Sequence, residues 1–327
     1  MKWACIGAGS IGLLFAGKLA ASGADLTLLT RTERQAHALQ SEGLAINEKG
    51  KTLHVRVKTD VFGRDSGSGT PAEEEHPITA SFCPDWILLA VKQQHLTDGF
   101  LRRLAKLAGA HAKLLCFQNG MGHVEKISAY IPVSRIYLAV TTEGARKRSD
   151  REVDHTGAGV TRIGPAFDEG EGVFAEMEIL LEKMLNQAGF QTILSKHMDE
   201  AVWRKLLINA AINPLTALLG VKNGELLRNG HAAQLMRRIA DEGAEVARAS
   251  GLTLAEDLWE QIADVCARTA DNHSSMLQDL MDGRVTEIDW ITGAILERAG
   301  KLGVPVPANE TLYLLVKALE SQKRSER

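Results

Sequence analysis

The segment Gly7-Ala8-Gly9-Ser10-Ile11-Gly12 restricts the possible folds of this chain more than any other, because of what lies on either side of it. A G-x-G-x-x-G string alone is common. Here an apolar strand pattern, Lys2 to Ile6, runs into it, and a helical pattern carrying Leu13, Leu14, Ala16, Leu19 and Ala20 leaves it. A second strand pattern, Asp25 to Thr30, completes a βαβ unit within about 30 residues. In that setting the glycines allow a tight turn, a close backbone approach by a ligand and close helix packing, while the helix N-terminus presents N–H donors to an anion. Gly7, Ala8, Gly9, Ser10, Ile11 and Gly12 are therefore expected to cradle the pyrophosphate of a dinucleotide.

Short continuous apolar runs at Trp86 to Val91 and Lys113 to Phe117 read as buried parallel strands. Val160 to Ile163 and Gln191 to Leu194, flanking a helical Phe174 to Ala188, read as the last sheet elements. After Ser195 only helical patterns follow: Asp199 to Ile212, Ala232 to Ser250, Leu254 to Ala270, Ser274 to Met281, Thr286 to Lys301 and Asn309 to Ser321. The expected fold is α/β, an N-terminal Rossmann-type doubly wound sheet (residues 1–196) followed by an all-helical C-terminal domain (residues 197–327). A length of 327 residues suits two cores. Gly63 to Pro77, with no apolar period, reads as a mobile surface loop, and its acidic triplet Glu73-Glu74-Glu75 as solubilising.

Composition excludes several functions. A formal net charge of -3 leaves no basic face for nucleic acid, and the clusters Arg146-Lys147-Arg148 and Lys323-Arg324 are short enough to be solvated surface. No apolar run reaches the ~18–20 residues that span a bilayer, and the apolar start is too short for a secretory signal. Cys5, Cys83, Cys116 and Cys266 have neither disulfide nor zinc spacing, so no metal is expected and a reducing cytoplasm is. H-E-x-x-H and G-x-S-x-G are absent, and His95 and His197 have no assigned role.

The residue at the end of the second strand selects the dinucleotide, because an acid there would accept the ribose 2′-OH of NAD. The chain instead reads Leu29-Thr30-Arg31-Thr32, with Arg34 beyond. A guanidinium suits a 2′-phosphate through bidentate bonds, so the cofactor expected is NADP(H), with Arg31 and Lys92 supplying charge. Glu33 leaves a ribose contact open. Asn119, in Phe117-Gln118-Asn119-Gly120-Met121-Gly122, lies at another strand end, either as a ligand donor or as half of a turn-forming Asn-Gly pair.

In the helical half, Ala201 to Asn213 reads as a helix stopped by Pro214. Lys205, Asn209 and Asn213 fall within roughly 80° of one another on its wheel. Asparagine gains little in an exposed helix, so this stripe reads as the border of a cleft rather than a solvated face. Reduction of a ketone builds negative charge on oxygen, and a desolvated lysine can both stabilise that charge and deliver the proton. Lys205 is the candidate acid. Glu287, read as aligned with Ile291 and Ile295 on the apolar side of a helix, is either a carboxylate in need of a partner such as Lys205 or an acid at a helix N-terminus. Ser274 and Ser275 either cap a helix or bind a carboxylate.

These residues together resemble the ketopantoate reductase (2-dehydropantoate 2-reductase) family. The likeness is carried by Gly7 to Gly12, Arg31, Val91-Lys92, Asn119 to Gly122, Trp203 to Leu206, Asn209, Ile212 to Ala217, Asn223 to Leu226, Asn272, Ser274 to Asp279 and Thr286 to Asp289. It implies NADPH-dependent reduction of ketopantoate in pantothenate biosynthesis, with domain closure over a cleft. It implies Lys205 as general acid and Glu287 as the carboxylate meeting the substrate hydroxyl and the lysine. It also implies Asn209, Asn213, Asn272, Ser275 and Asn119 at the substrate, and Lys92, Asn119 and Glu287 as cofactor or active-site contacts. His95 departs from relatives with glutamine there. Another NADP-dependent 2-oxo or 3-hydroxy acid dehydrogenase and a non-catalytic NADP(H) sensor remain alternatives. The amphipathic C-terminal helices can bury their apolar faces internally or in a homodimer.

Overall fold

The computed structural model describes residues 1–63, 82–167, 173–254 and 257–325, with no side-chain description beyond residue 322. The acidic triplet, most of the loop from Gly63 to Pro77, and the Lys323-Arg324 side chains lie outside the described residues. The chain forms two compact units: Met1–Gln118 with His123–Met198, and Asn119–Gly122 with Asp199–Arg327.

The first unit is built on an eight-stranded sheet. In chain order its strands are β1 (Lys2–Ile6), β2 (Asp25–Thr30), β5 (Lys58–Val61), β6 (Trp86–Leu89), β7 (Lys113–Cys116), β8 (Ile136–Thr141), β11 (Val160–Pro165) and β12 (Gln191–Leu194). Their spatial order is β12-β11-β8-β7-β6-β1-β2-β5, parallel except where β11 meets β8. The order reverses beside β1, which pairs with β2 on one side and with β6 on the other. Crevices for ligands open at the strand ends of such a switch point. Helix α1 (Ser10–Ala21) leaves β1, and its Phe15 stacks on Phe190 at 3.9 Å in a core that includes Trp3, Leu13, Leu14 and Trp86.

A second, four-stranded sheet has no counterpart in the sequence reading. It comprises β3 (Leu44–Glu48), β4 (Lys51–Val55), β9 (Gly144–Ser149) and β10 (Glu152–Gly157), in the order β4-β3-β10-β9. The strands Lys51–Val55 and Gly144–Ser149 are largely solvent-facing; the first is only five residues long and the second is polar, so neither carries the buried apolar run that marks a strand of the main sheet. The unit ties this sheet to α1 by charge. Lys18 Nζ lies 3.1 Å from both Glu48 and His155 Nδ1, and His155 Nε2 lies 2.6 Å from the buried Glu143. The cluster Arg146-Lys147-Arg148 sits on β9, where Lys147 pairs with Asp150 and Arg148 with Asp154.

No strand occurs in the second unit among the described residues. Its helices are α6 (Met198–Leu219), α7 (Asn223–Arg228), α8 (Gly230–Ala249), α9 (Leu258–Arg268), α10 (Ser275–Met281), α11 (Thr292–Leu302) and α12 (Pro307–Ser325); the earlier helices α2 (Glu33–Glu42), α3 (Asp98–Ala108), α4 (His123–Ser128) and α5 (Glu176–Gln187) belong to the first unit. The core includes Leu206, Leu207, Met236, Ile262, Met276, Ile288, Ile295 and Val316.

Two helix boundaries differ from the reading. Pro214 does not stop its helix: α6 continues to Leu219, because Leu215 and Ala217 are core residues, and burying them outweighs the missing N–H. The helix expected from Thr286 starts only at Thr292, and residues 286–291 form a turn closed by Trp290 and Ile291 N–H groups donating to the Glu287 carbonyl. No described helix is long and apolar enough to cross a membrane.

Candidate active site

Each glycine of the loop between β1 and α1 has its own geometric reason. Gly7 has φ +106°, and a Cβ there would stand 2.8 Å from the Ala90 carbonyl oxygen. A Cβ on Gly12 would stand 1.8 Å from the Gly7 carbonyl oxygen, so a side chain there would break the turn. Gly9, the N-cap of α1, has no atom within 4 Å of its Cβ position, and the first turn of α1 contains no acid. An open backbone at a helix N-terminus, free of negative charge, fits a pyrophosphate. Gln35 Nε2 and Lys147 Nζ brace the loop by donating to the Ala8 carbonyl, and the Ser10 hydroxyl accepts the Lys147 N–H. The Ser10 side chain thus ties the start of α1 to β9.

Arg31 is exposed immediately after β2, and Lys92 follows β6. His95, half-buried in the short 3-10 turn beyond, has its pKa lowered by burial and then by the charges of Arg31 and Lys92. Arg31 and Lys92 thus lie near enough to His95 to act on its charge, at the strand ends where a 2′-phosphate is expected. His95 had no sequence signal, because its neighbours come from two different strand ends. Arg34 is instead paired with Asp150 at 2.9 Å.

In the second unit the residues of α6 divide by depth. Leu206, Leu207, Ala210 and Ala211 are core, whereas Lys205 and Asn209 are half-buried and Asn213 is buried. Burial pushes the Lys205 ammonium down to about 8, against an upward pull from the Glu287 carboxylate. Glu287, itself buried, accepts a hydrogen bond at Oε2 from Asn119 Nδ2 at 3.1 Å. Asn119 is held in place by the backbone on the C-terminal side of Glu287: the Met121 N–H donates to the Trp290 carbonyl at 3.0 Å. A Cβ on Gly120 would stand 2.0 Å from that same oxygen. Lys205, Glu287 and Asn119 thus belong to one electrostatic cluster. The reading of Glu287 on a helix face is corrected, because its turn precedes the helix and a helix N-terminus is not what holds it.

The two serines separate. Ser274 is buried as the N-cap of α10; its hydroxyl accepts the Leu277 N–H and meets the Thr216 hydroxyl at 2.7 Å. Ser275 is exposed, as is the Asn272 side chain, and both remain available to a ligand. His197 is exposed, and among the described residues no group of three or more acids, histidines and cysteines is placed to hold a metal.

A glycine-loop Rossmann unit and a helical unit carrying a desolvated lysine beside a carboxylate define a dinucleotide-dependent oxidoreductase of the Rossmann class. The chain belongs to the ketopantoate reductase PanE/ApbA family, whose model matches residues 3–167 and whose C-terminal model matches residues 197–320. It is 35% identical to the 2-dehydropantoate 2-reductase of Bacillus subtilis over 98% of both chains. The counterpart from Pyrococcus horikoshii is 33% identical, again over 98% of both. Among solved structures, a D-mandelate dehydrogenase with NADH and anilino(oxo)acetate superposes with a TM-score of 0.88 at 26% identity, covering 99% of each chain. A PanE/ApbA family ketopantoate reductase from Ralstonia eutropha superposes with a TM-score of 0.85 at 26% identity, covering 99% of this chain and 100% of that one.

Proposed function

We propose that this protein reduces 2-dehydropantoate (ketopantoate) to pantoate with NADPH, in pantothenate biosynthesis. The observation that carries the reading is a lysine whose pKa burial has lowered to about 8, beside a buried carboxylate held by Asn119. A solvated lysine does not meet that description, and a non-catalytic NADP(H) sensor has no use for it.

NADPH, when bound, supplies the hydride that adds to the 2-oxo carbon. Lys205 gives its proton to the oxygen that becomes negative and takes it back in the reverse direction. Glu287, which accepts from Asn119 at Oε2, raises the Lys205 pKa against the effect of burial, and its carboxylate is the group proposed to meet a substrate hydroxyl. Asn209 and Asn213 continue the stripe from Lys205 as amide donors for substrate oxygens, and Ser275 and Asn272 supply exposed polar groups for its carboxylate. Gly7, Ala8, Gly9, Ser10, Ile11 and Gly12 hold the pyrophosphate, and Arg31, Lys92 and His95 the 2′-phosphate.

The likeness to a D-mandelate dehydrogenase favours a second reading, an enzyme for another branched or aromatic 2-oxo acid using NADH. One panel decides between them. Ketopantoate with NADPH is expected to give the highest kcat/KM; a higher value with another 2-oxo acid rejects the substrate, and a preference for NADH rejects the cofactor.

A cytoplasmic location fits the family and the free cysteines, three of them buried. A homodimer is supported by the exposed Leu314 and Leu315 on α12 and is tested by sedimentation.

A further inference from the structure

Glu287 has no regular secondary structure to fix it, since it lies in the turn at residues 286–291 before α11. Something else must set its position. On its N-terminal side Thr286, fully buried, donates its N–H to Glu320 Oε1 at 2.7 Å, and its hydroxyl accepts the Ile288 N–H. On its C-terminal side the Asp289 carboxylate accepts the Tyr313 hydroxyl at 2.8 Å and Lys317 Nζ at 3.0 Å. Lys317 also reaches Glu320 Oε2 at 3.4 Å, which joins the two anchors. Tyr313, Lys317 and Glu320 are spaced i, i+4, i+7, so one face of α12 supplies all three. Glu320 is a carboxylate with a side chain only 5% exposed, and a backbone N–H with one cation compensates its burial.

We infer that Glu320 is a positioning residue for the reaction: with Tyr313 and Lys317 it clamps the turn at Thr286 and Asp289, and so sets where the Glu287 carboxylate stands relative to Lys205. The inference rests on the roles proposed above for Lys205 and Glu287. None of the three α12 residues needs to touch substrate. Their effect passes through the turn, so loss of the clamp changes the electrostatic partner of Lys205 without removing it.

The test follows the titration of Lys205 in the full-length apo protein by NMR of isotope-labelled lysine, alongside steady-state kinetics. Burial against Glu287 sets the expected titration of Lys205 in the parent protein near 8. In Glu320→Ala the titration is expected to fall by about half a pH unit or more, in the same direction as in Glu287→Ala, because the raising charge is displaced. Ketopantoate kcat/KM is expected to drop by up to about a hundredfold with NADPH affinity unchanged, as for a misplaced catalytic group. Glu320→Gln keeps a carbonyl acceptor for the Thr286 N–H and is expected to recover much of both. A purely structural role lowers Tm but leaves the Lys205 titration and kcat/KM per folded molecule unchanged, and that result overturns the inference. Should Glu320→Ala not fold, the double variant Tyr313→Phe/Lys317→Met releases the Asp289 anchor and the Lys317 contact to Glu320 while leaving the Glu320 acceptor on the Thr286 N–H. An unmoved titration in that protein overturns the inference equally. Failure of the parent protein to turn over ketopantoate rejects the proposed function instead, while the titration, which needs no substrate, still decides the clamp.

Discussion

Lys205 is a compromise between burial, which favours the amine, and Glu287, which favours the ammonium. As the proposed acid in reduction it must be protonated, so kcat/KM for reduction is expected to be flat below pH about 8 and to fall above it, with the oxidation of product showing the opposite limb. Lys205→Ala is expected to lower kcat by about 10²–10⁴-fold with NADPH affinity nearly intact, and retained kcat removes the acid role. The same lysine weakens the fold. Its pKa is about 8 when folded against an ordinary 10.5, so the folded chain disfavours the ammonium. That penalty is complete below pH 8 and is relieved as pH rises from 8 towards 10.5. Lys205→Met is therefore expected to raise unfolding free energy at pH 7 by about 1–3 kcal/mol, after allowing for partial solvent access, as read by urea denaturation. Ser274 and Ser275 show the limit of reading at this scale. Adjacent hydroxyls look alike in sequence, but only the one at the N-cap is consumed by its own helix.

Among the elements, the glycine loop, its strand and its helix were legible because their signals are local. The four-stranded sheet was not, because polar strands such as Gly144–Ser149 are stabilised by their neighbours and not by an apolar face of their own. Its link to α1 carries a prediction. Replacing His155 by leucine leaves the Glu143 carboxylate, with a side chain 2% exposed, without its 2.6 Å partner. Loss of the hydrogen-bond partner of a buried carboxylate is expected to cost about 1–3 kcal/mol, measured as a drop in the urea midpoint. The Asn119–Gly122 segment gives a second. Gly120→Ala places a methyl 2.0 Å from the Trp290 carbonyl oxygen at a φ of +79°, so the segment must move away from the turn bearing Glu287. Activity is expected to fall by up to about a hundredfold, while the NADPH affinity of the glycine loop is retained. Equal loss of both would show general unfolding instead.

For the whole molecule, the two units do not follow a single cut in the chain. The helical unit includes Asn119–Gly122, far upstream of Asp199 in sequence. A fragment of residues 199–327 therefore lacks the donor to Glu287 Oε2. In that fragment the lysine is expected to titrate away from 8, and supplying the 119–122 segment within the full chain restores the value.

The sequence by itself determined the α/β order, the change to helices after Ser195, the glycine loop between β1 and α1 and the Lys205-Asn209-Asn213 stripe. Each of these is written in spacings of a few residues, where backbone geometry alone relates one side chain to the next. Only the tertiary structure decided that Asn119 meets Glu287 across 168 residues, that α12 clamps the turn around it, and that α6 runs through Pro214. It also decided the acidity of Lys205, because desolvation and charge pairing depend on which distant groups displace water from the ammonium, and no local pattern encodes that.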